Sequence, residues 1–176
     1  RIADLYATDP QFAAAAPDAA VSAAADELGL RLPQVFQTVF QRYADRPALG
    51  QRAVEFVTDP ATGRTSARLL PRFDTHTYRQ LWDGVQALSG GLRGIVKPGD
   101  RVAILGFTSV DYTVVDIALT QLAAVSVPLQ TSAPAAQLQP IVAETEPAVI
   151  ASSIDYVDDA AQLILAGPAP ARLVVF

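Results

Sequence analysis

The sequence predicts an α/β fold: an open, mostly parallel sheet with flanking helices, preceded by a helical N-terminal arm and a β-hairpin. Three observations carry this. From Arg101 onward four aliphatic runs, "RVAIL", "VSVPL", "AVIAS" and "RLVVF", recur at a near-constant interval, each separated from the next by a segment of helical pattern. Strand, helix and strand at such spacing is the βαβ signature of parallel pairing. The runs are nearly continuous in apolar residues rather than alternating, as strands covered on both faces must be. Upstream, "RAVEFV" and "RLLPRF" flank the turn-rich stretch "TDPATGRTSA", the pattern of a hairpin with a long loop.

Each element follows from local chemistry. Residues 1 to about 47 are rich in alanine, which loses no side-chain entropy in a helix. Pro17 and Gly29 interrupt them. In "LPQVFQTVFQRY", Leu32, Val35, Phe36, Val39, Phe40 and Tyr43 follow the i, i+3, i+4, i+7 rhythm of one apolar helix stripe, whose simplest role is core packing. The hairpin occupies 52–72, and Pro71 places its second strand at an edge. Thr77 followed by Gln80 is a capping box, and Leu81, Val85, Leu88 and Leu92 continue the helix it opens. Gly90, Gly91 and Gly94 weaken the end of that helix, and "KPGD" turns the chain into "RVAIL". The organisation is thus a helical arm over 1–50 and a hairpin plus βαβ sheet over 51–176.

Composition excludes several classes of function. Half the residues are hydrophobic (51%) and 18% are charged, a balance that builds a core rather than a disordered tail. The net charge is −5 with no basic run, so neither nucleic acid nor an anionic membrane is an expected partner. Without cysteine there is no disulfide, thiolate metal site or cysteine nucleophile within these residues. His76 is the only histidine and Lys97 the only lysine. No apolar run approaches the roughly 20 residues of a membrane helix, and no signal peptide opens the chain, so a cytoplasmic location is expected. The chain starts at Arg1, lacks methionine altogether and stops on the strand-like "RLVVF", so it reads as a piece of a longer polypeptide.

The one stretch with the ingredients of a phosphate cradle is "LGFTSVDY", a strand followed by Gly106, Phe107, Thr108 and Ser109 at a helix start. A dinucleotide fingerprint needs three spaced glycines and a phosphate loop needs Gly-Lys-Ser/Thr; neither is present. "QTSAP" and "SSID" repeat the pattern of hydroxyl residues before a helix, which favours capping at all three. The alternative is that one of these helix starts meets an anionic ligand, since ligands of open α/β sheets gather at the strand carboxyl ends. His76 reads as a helix-start residue, because no acid partner for it stands out. Asp155, Asp158 and Asp159 suit a helix dipole more simply than a metal. Asp111 and Asp116 do not share a helix face, and Trp82 reads as packing. From the residues alone, then, no catalytic, cofactor-binding or metal-binding side chain is assigned.

Three motifs in order carry a resemblance: "TYRQLW", "KPGDRVAIL" and "LAAVSVPLQ". Thr77, Tyr78 and Leu81, then Gly99 to Val102, then Ala123 to Leu129 resemble the AMP-forming acyl-adenylating superfamily. "IADLYATDPQFAAAAPDAAVSAA", "YADRPALGQRAVEFVTDPATGRT", "LLPRFDTHTY", "AILGFTSVDY" and "AETEP" are similar to the N-terminal part of carboxylic acid reductases, over essentially the whole chain. The resemblance implies the first part of an adenylation domain, one flank of the large lobe of an adenylating enzyme. It implies an enzyme that activates a carboxylic acid with ATP and Mg²⁺, passes the acyl group to a phosphopantetheine thiol and reduces the thioester to an aldehyde with NADPH. Its partners would be the carboxylic acid and, in the same chain, the rest of the adenylation domain, a carrier domain and a reductase domain. The superfamily's phosphate loop, ribose-binding aspartate and catalytic lysine have no counterpart here and are expected downstream of Phe176. No ATP, Mg²⁺, NADPH or phosphopantetheine ligand is therefore carried over onto these residues. An acyl-CoA synthetase of the same superfamily and a non-catalytic α/β binding module are the alternatives.

Overall fold

The structure, a computed structural model, describes residues 1–167 and 172–176. It divides into two compact units, Arg1–Tyr43 and Ala44–Phe176.

The first unit holds α1 (Ile2–Thr8), α2 (Pro10–Ala15), α3 (Ala19–Ala25) and α4 (Leu32–Arg42). Aspartates start two of these helices. The Asp9 carboxylate accepts from the backbone N–H groups of Gln11 and Phe12, and Asp18 does the same for Ala20 and Val21. The Asp18 N–H in turn donates to the Tyr43 hydroxyl at 2.8 Å. Along α4 the apolar stripe packs unevenly. Phe40 is buried and meets Phe36 edge-on, with ring centroids 5.9 Å apart, whereas Leu32 at the start of the stripe is exposed.

The second unit opens with an antiparallel ribbon, β1 (Pro47–Thr58) and β2 (Thr65–Thr77). The ribbon is longer than the 52–72 expected. Residues 47–51 pair with 74–77 although "PALGQ" lacks β-branched residues, so long-range pairing overrides local propensity there. The register shifts between Arg52 and Val54, where the single Ala53 of β1 faces Leu70, Pro71 and Arg72 of β2, so Pro71, whose missing N–H cannot join a regular ladder, lies within the bulge. Next comes α5 (Tyr78–Leu92), with the expected capping box: Thr77 Oγ1 accepts from Gln80 N–H at 3.2 Å and Gln80 Oε1 from Thr77 N–H at 2.8 Å.

The sheet follows, with β3 (Arg101–Leu105), α6 (Val110–Gln121), β4 (Val125–Leu129), α7 (Ala135–Thr145), β5 (Val149–Ser152), a 3₁₀ turn (Ile154–Tyr156), α8 (Val157–Ala166) and β6 (Arg172–Val175). The strand order is β4-β3-β5-β6, and every pair is parallel. Alternate residues of the central strands serve opposite layers. Val102 and Ile104 of β3, with Val149 and Ala151 of β5, pack against Leu92 of α5 and Val115 and Leu119 of α6. Ala103, Leu105 and Ile150 face Leu138 and Val142 of α7 and Leu163 of α8. That two-sided burial is why these strands are apolar throughout.

Two of the family-like motifs meet in space. Gly99, at φ 86°, donates its N–H to the Ala123 carbonyl at 2.8 Å, and Val125 N–H reaches the Asp100 carbonyl at 2.8 Å. Lys97 N–H donates to the Asp100 carboxylate at 2.8 Å. "KPGD" and "LAAV" thus clasp each other at the amino ends of β3 and β4.

Candidate functional site

At the opposite, carboxyl end of β3 the chain passes through Gly106 into the loop that starts α6. A Cβ on Gly106 would stand 2.9 Å from Cζ of Phe176 and 3.3 Å from Cβ of Ser153. The close approach of the Phe176 ring leaves little room for a side chain here. The three strand ends are laced by backbone bonds: Ser153 N–H to the Leu105 carbonyl, Phe176 N–H to that of Ser152, and Ile154 N–H to that of Phe176.

The α6 N-terminus is occupied by the chain itself. Ser109 Oγ accepts from Tyr112 N–H at 3.1 Å, and Gln51 of β1 reaches across to accept from Val110 N–H at 3.3 Å. Two donors of that helix start are thus taken by the chain itself, and Lys97 sits at the far end of β3.

Capping holds at Ser109 but not at the other two places expected. In "QTSAP", Pro134 (φ −64°, ψ 153°) takes the N-cap position of α7, so Thr131 and Ser132 lie outside the helix; Ser132 instead accepts from the Gln130 side chain at 2.8 Å. In "SSID", the fully buried Ser152 donates to the Ser153 carbonyl at 3.0 Å. The Ser153 hydroxyl is itself buried with no hydrogen-bond partner among the described residues.

Around the α6 start, β1 and the loop after β3 enclose two adjoining clefts. The larger, about 430 Å³, is lined by Leu49, Gly50, Phe107, Thr108, Ser109 and Thr113. The smaller, about 240 Å³, brings His76 and Asp74 of β2 beside Asp111 of α6. Gln51, Arg52 and Val110 border both. Sequence reading found no acid for His76; the fold supplies two. The alternation of Asp74 and His76 on one strand was a readable signal, whereas the arrival of Asp111, Gln51 and Arg52 depends on how the ribbon meets α6. The carboxylates are nonetheless otherwise engaged or free of the imidazole. Asp74 pairs with Arg72, and among the described residues no ion pair joins His76 to an acid. Arg52 lies over the Phe73 ring, 5.3 Å from its centroid. Burial, and after it the charge of Asp116 on the same helix, push the Tyr112 hydroxyl above its ordinary pKa. Asp158 and Asp159 fall in the first turn of α8, where the dipole favours them, and Trp82 is half-buried in α5. Among the described residues no group of three or more His, Cys, Asp or Glu side chains is placed to hold a metal ion.

This frame has known counterparts. The sequence profile of the AMP-binding enzymes matches residues 36–174. The chain belongs to the AMP-binding enzyme family. Within that family it is similar over its whole length to a carboxylic acid reductase of Mycobacterium tuberculosis, at 60% identity, and to one of Segniliparus rugosus, at 47%. It spans 15% of the length of each of these relatives. It superposes with a TM-score of 0.92 on the A domain of the Segniliparus rugosus carboxylic acid reductase, solved in complex with AMP and a co-purified carboxylic acid. That match covers 99% of this chain and 28% of that one at 47% identity. The A-PCP didomain of the same reductase, solved with AMP, matches with a TM-score of 0.91 over 99% of this chain and 25% of that one. A putative long-chain-fatty-acid CoA ligase from Rhodopseudomonas palustris shares the fold at 19% identity, with a TM-score of 0.65 over 84% of this chain and 33% of that one. For an AMP-binding enzyme, the parallel sheet and its helical layers are thus the expected architecture.

Proposed function

We propose that this AMP-binding segment is the front of the adenylation domain of a carboxylic acid reductase, with the helical unit Arg1–Tyr43 as a preceding arm, shorter than the 1–50 expected because β1 already begins at Pro47, and Ala44–Phe176 as the first part of the domain proper. The full enzyme would activate a carboxylic acid with ATP and Mg²⁺ as acyl-AMP with release of pyrophosphate. The acyl group would pass to a phosphopantetheine thiol with release of AMP, and NADPH would reduce the thioester to an aldehyde. The chemical need for activation is plain. A carboxylate's negative charge repels nucleophiles, and its oxygen is a poor leaving group; adenylation removes both obstacles. The work would take place in the cytoplasm; no described helix is long and apolar enough to cross a membrane.

In this reading the segment's own residues act as frame. The clasp of Gly99 to Ala123 fixes the amino ends of β3 and β4, the backbone bonds of Ser153 and Phe176 lace the carboxyl ends of β3, β5 and β6, and Gln51 ties β1 to the start of α6, so that groups supplied elsewhere in the enzyme would meet a rigid wall.

The observation that carries this reading is similarity at 47–60% identity along the whole chain, arm and hairpin included, to proteins named carboxylic acid reductase. Solved CoA ligases match at about 20% identity or less, which speaks to fold alone. The test is to assay the full-length protein with a carboxylic acid, ATP, Mg²⁺ and NADPH, following pyrophosphate and aldehyde. ATP-dependent aldehyde formation with matching NADPH oxidation is expected. Formation of a CoA thioester on adding coenzyme A, with no aldehyde, would overturn it in favour of an acyl-CoA synthetase.

A further inference from the structure

We propose that the two Asp-Pro bonds of this chain are acid-triggered self-cleavage sites that the fold guards unequally, Asp59–Pro60 closed and Asp9–Pro10 open. This chemistry is independent of the reaction that the whole enzyme performs. An aspartate followed by proline carries its own nucleophile. In acid a side-chain carboxylate oxygen attacks the aspartate's main-chain carbonyl carbon, the C–N bond to proline breaks, and the departing nitrogen takes a proton from the solvent. Proline is the better leaving group because its tertiary nitrogen, which has no N–H, is more readily protonated. One water then opens the cyclic anhydride left on the aspartate, giving two free chain ends. A cut after Asp9 separates α1 from α2, and a cut after Asp59 opens the loop between β1 and β2.

The two bonds form a matched pair. Both sit in the same tripeptide, Thr8-Asp9-Pro10 and Thr58-Asp59-Pro60, so their intrinsic lability is alike. Both scissile carbonyls are polarised alike: the Asp9 carbonyl accepts from Ala13 N–H at 2.9 Å and the Asp59 carbonyl from Gly63 N–H at 2.8 Å. The nucleophiles differ. At Asp59 both carboxylate oxygens are held, one by Ala61 N–H and the other by the Thr62 hydroxyl, each at 2.8 Å. At Asp9 a single oxygen takes both bonds, from Gln11 N–H at 2.8 Å and Phe12 N–H at 3.3 Å, and the second oxygen has no partner among the described residues. An oxygen that must first give up a hydrogen bond and turn attacks more slowly than one already free to turn. Exposure alone would favour the opposite order, since Asp59 is exposed and Asp9 half-buried.

The test is peptide mapping by mass spectrometry of the full-length protein, incubated at the lowest pH at which circular dichroism shows it folded and, in parallel, in urea at the same pH. Mapping isolates these two bonds from any others in the enzyme. Native cutting after Asp9 should exceed that after Asp59 by about fivefold or more, the size of one net hydrogen bond, and the two rates should converge in urea. Thr62→Ala should raise native cutting after Asp59 by a similar factor, and Thr62→Ser should return it to the parent rate. Asp9→Glu, whose longer side chain must close a larger ring, should suppress the first cut. Equal native rates, a faster cut after Asp59, or no native cut at either bond would overturn the proposal. So would a Thr62→Ala rate equal to the parent's, or a difference that persists in urea, which would assign the order to neighbouring sequence rather than to the fold.

Discussion

The Phe176 ring stands where a side chain on residue 106 would have to go: the nearest ring carbon is 2.9 Å from the position of a Cβ built on Gly106. Gly106→Ala should therefore destabilise the protein by about 1–3 kcal/mol, the usual cost of overpacking. In a Phe176→Ala background the same change should cost at least about 1 kcal/mol less. Urea unfolding of the four proteins of the cycle checks this, and strict additivity would show that the ring is not what excludes a side chain.

Ser109 caps α6, and Ser132 caps nothing. Ser109→Ala should cost about 1 kcal/mol, since Tyr112 N–H loses its acceptor, while Ser132→Ala should fall within about 0.5 kcal/mol of the parent. Thermal unfolding of both variants separates the two roles. Equal losses would mean that the hydroxyl before α7 does more than accept from Gln130.

Ala123 holds the left-handed conformation, φ 54°, at the end of α6, where glycine is the favoured residue. Ala123→Gly should raise stability by about 0.5–1 kcal/mol, relief of the Cβ clash outweighing the added freedom of the unfolded chain. Ala123→Val should lower it. Chemical denaturation with a constant m-value would report both.

The Asp59 carboxylate at the ribbon's loop accepts from Ala61 N–H and the Thr62 hydroxyl, each at 2.8 Å, and these bonds hold its pKa below the ordinary aspartate value. A depressed folded-state pKa means that its contribution to the loop is complete above the unfolded aspartate pKa of about 3.9 and fades as pH falls through the lower folded value. A pH titration of the Asp59 side-chain carboxyl by NMR should give a midpoint below that of free aspartate, and Thr62→Ala should move it upward. No movement would remove Thr62 as a cause.

Much of the fold was legible because its main signals are local. Continuous runs such as "RVAIL" mark strands buried on both faces, and the Thr77–Gln80 box marks a helix start without tertiary help. The ribbon's extension to residues 47–51 was not legible, because pairing with 74–77 sets it and propensity does not. Hydroxyls before α7 and the 3₁₀ turn looked like caps, but Pro134 shifts one helix start and burial withdraws Ser153. The surroundings of the α6 start were the least legible part. Gln51 and Arg52, His76, and Asp111 come from three separate stretches of the chain and meet only through the packing of the ribbon, which no periodicity encodes.

The strand order has a kinetic corollary. β5 is made after β4 yet pairs with the other edge of β3, so Val102 waits for Val149 before its second side is paired. During synthesis the ribbon can zip up early from neighbouring residues, while the half-finished sheet presents an open, sticky margin until the later strand emerges. Conditions that slow translation just before residue 149 would prolong that vulnerable interval, and with it the opportunity for chaperones to engage.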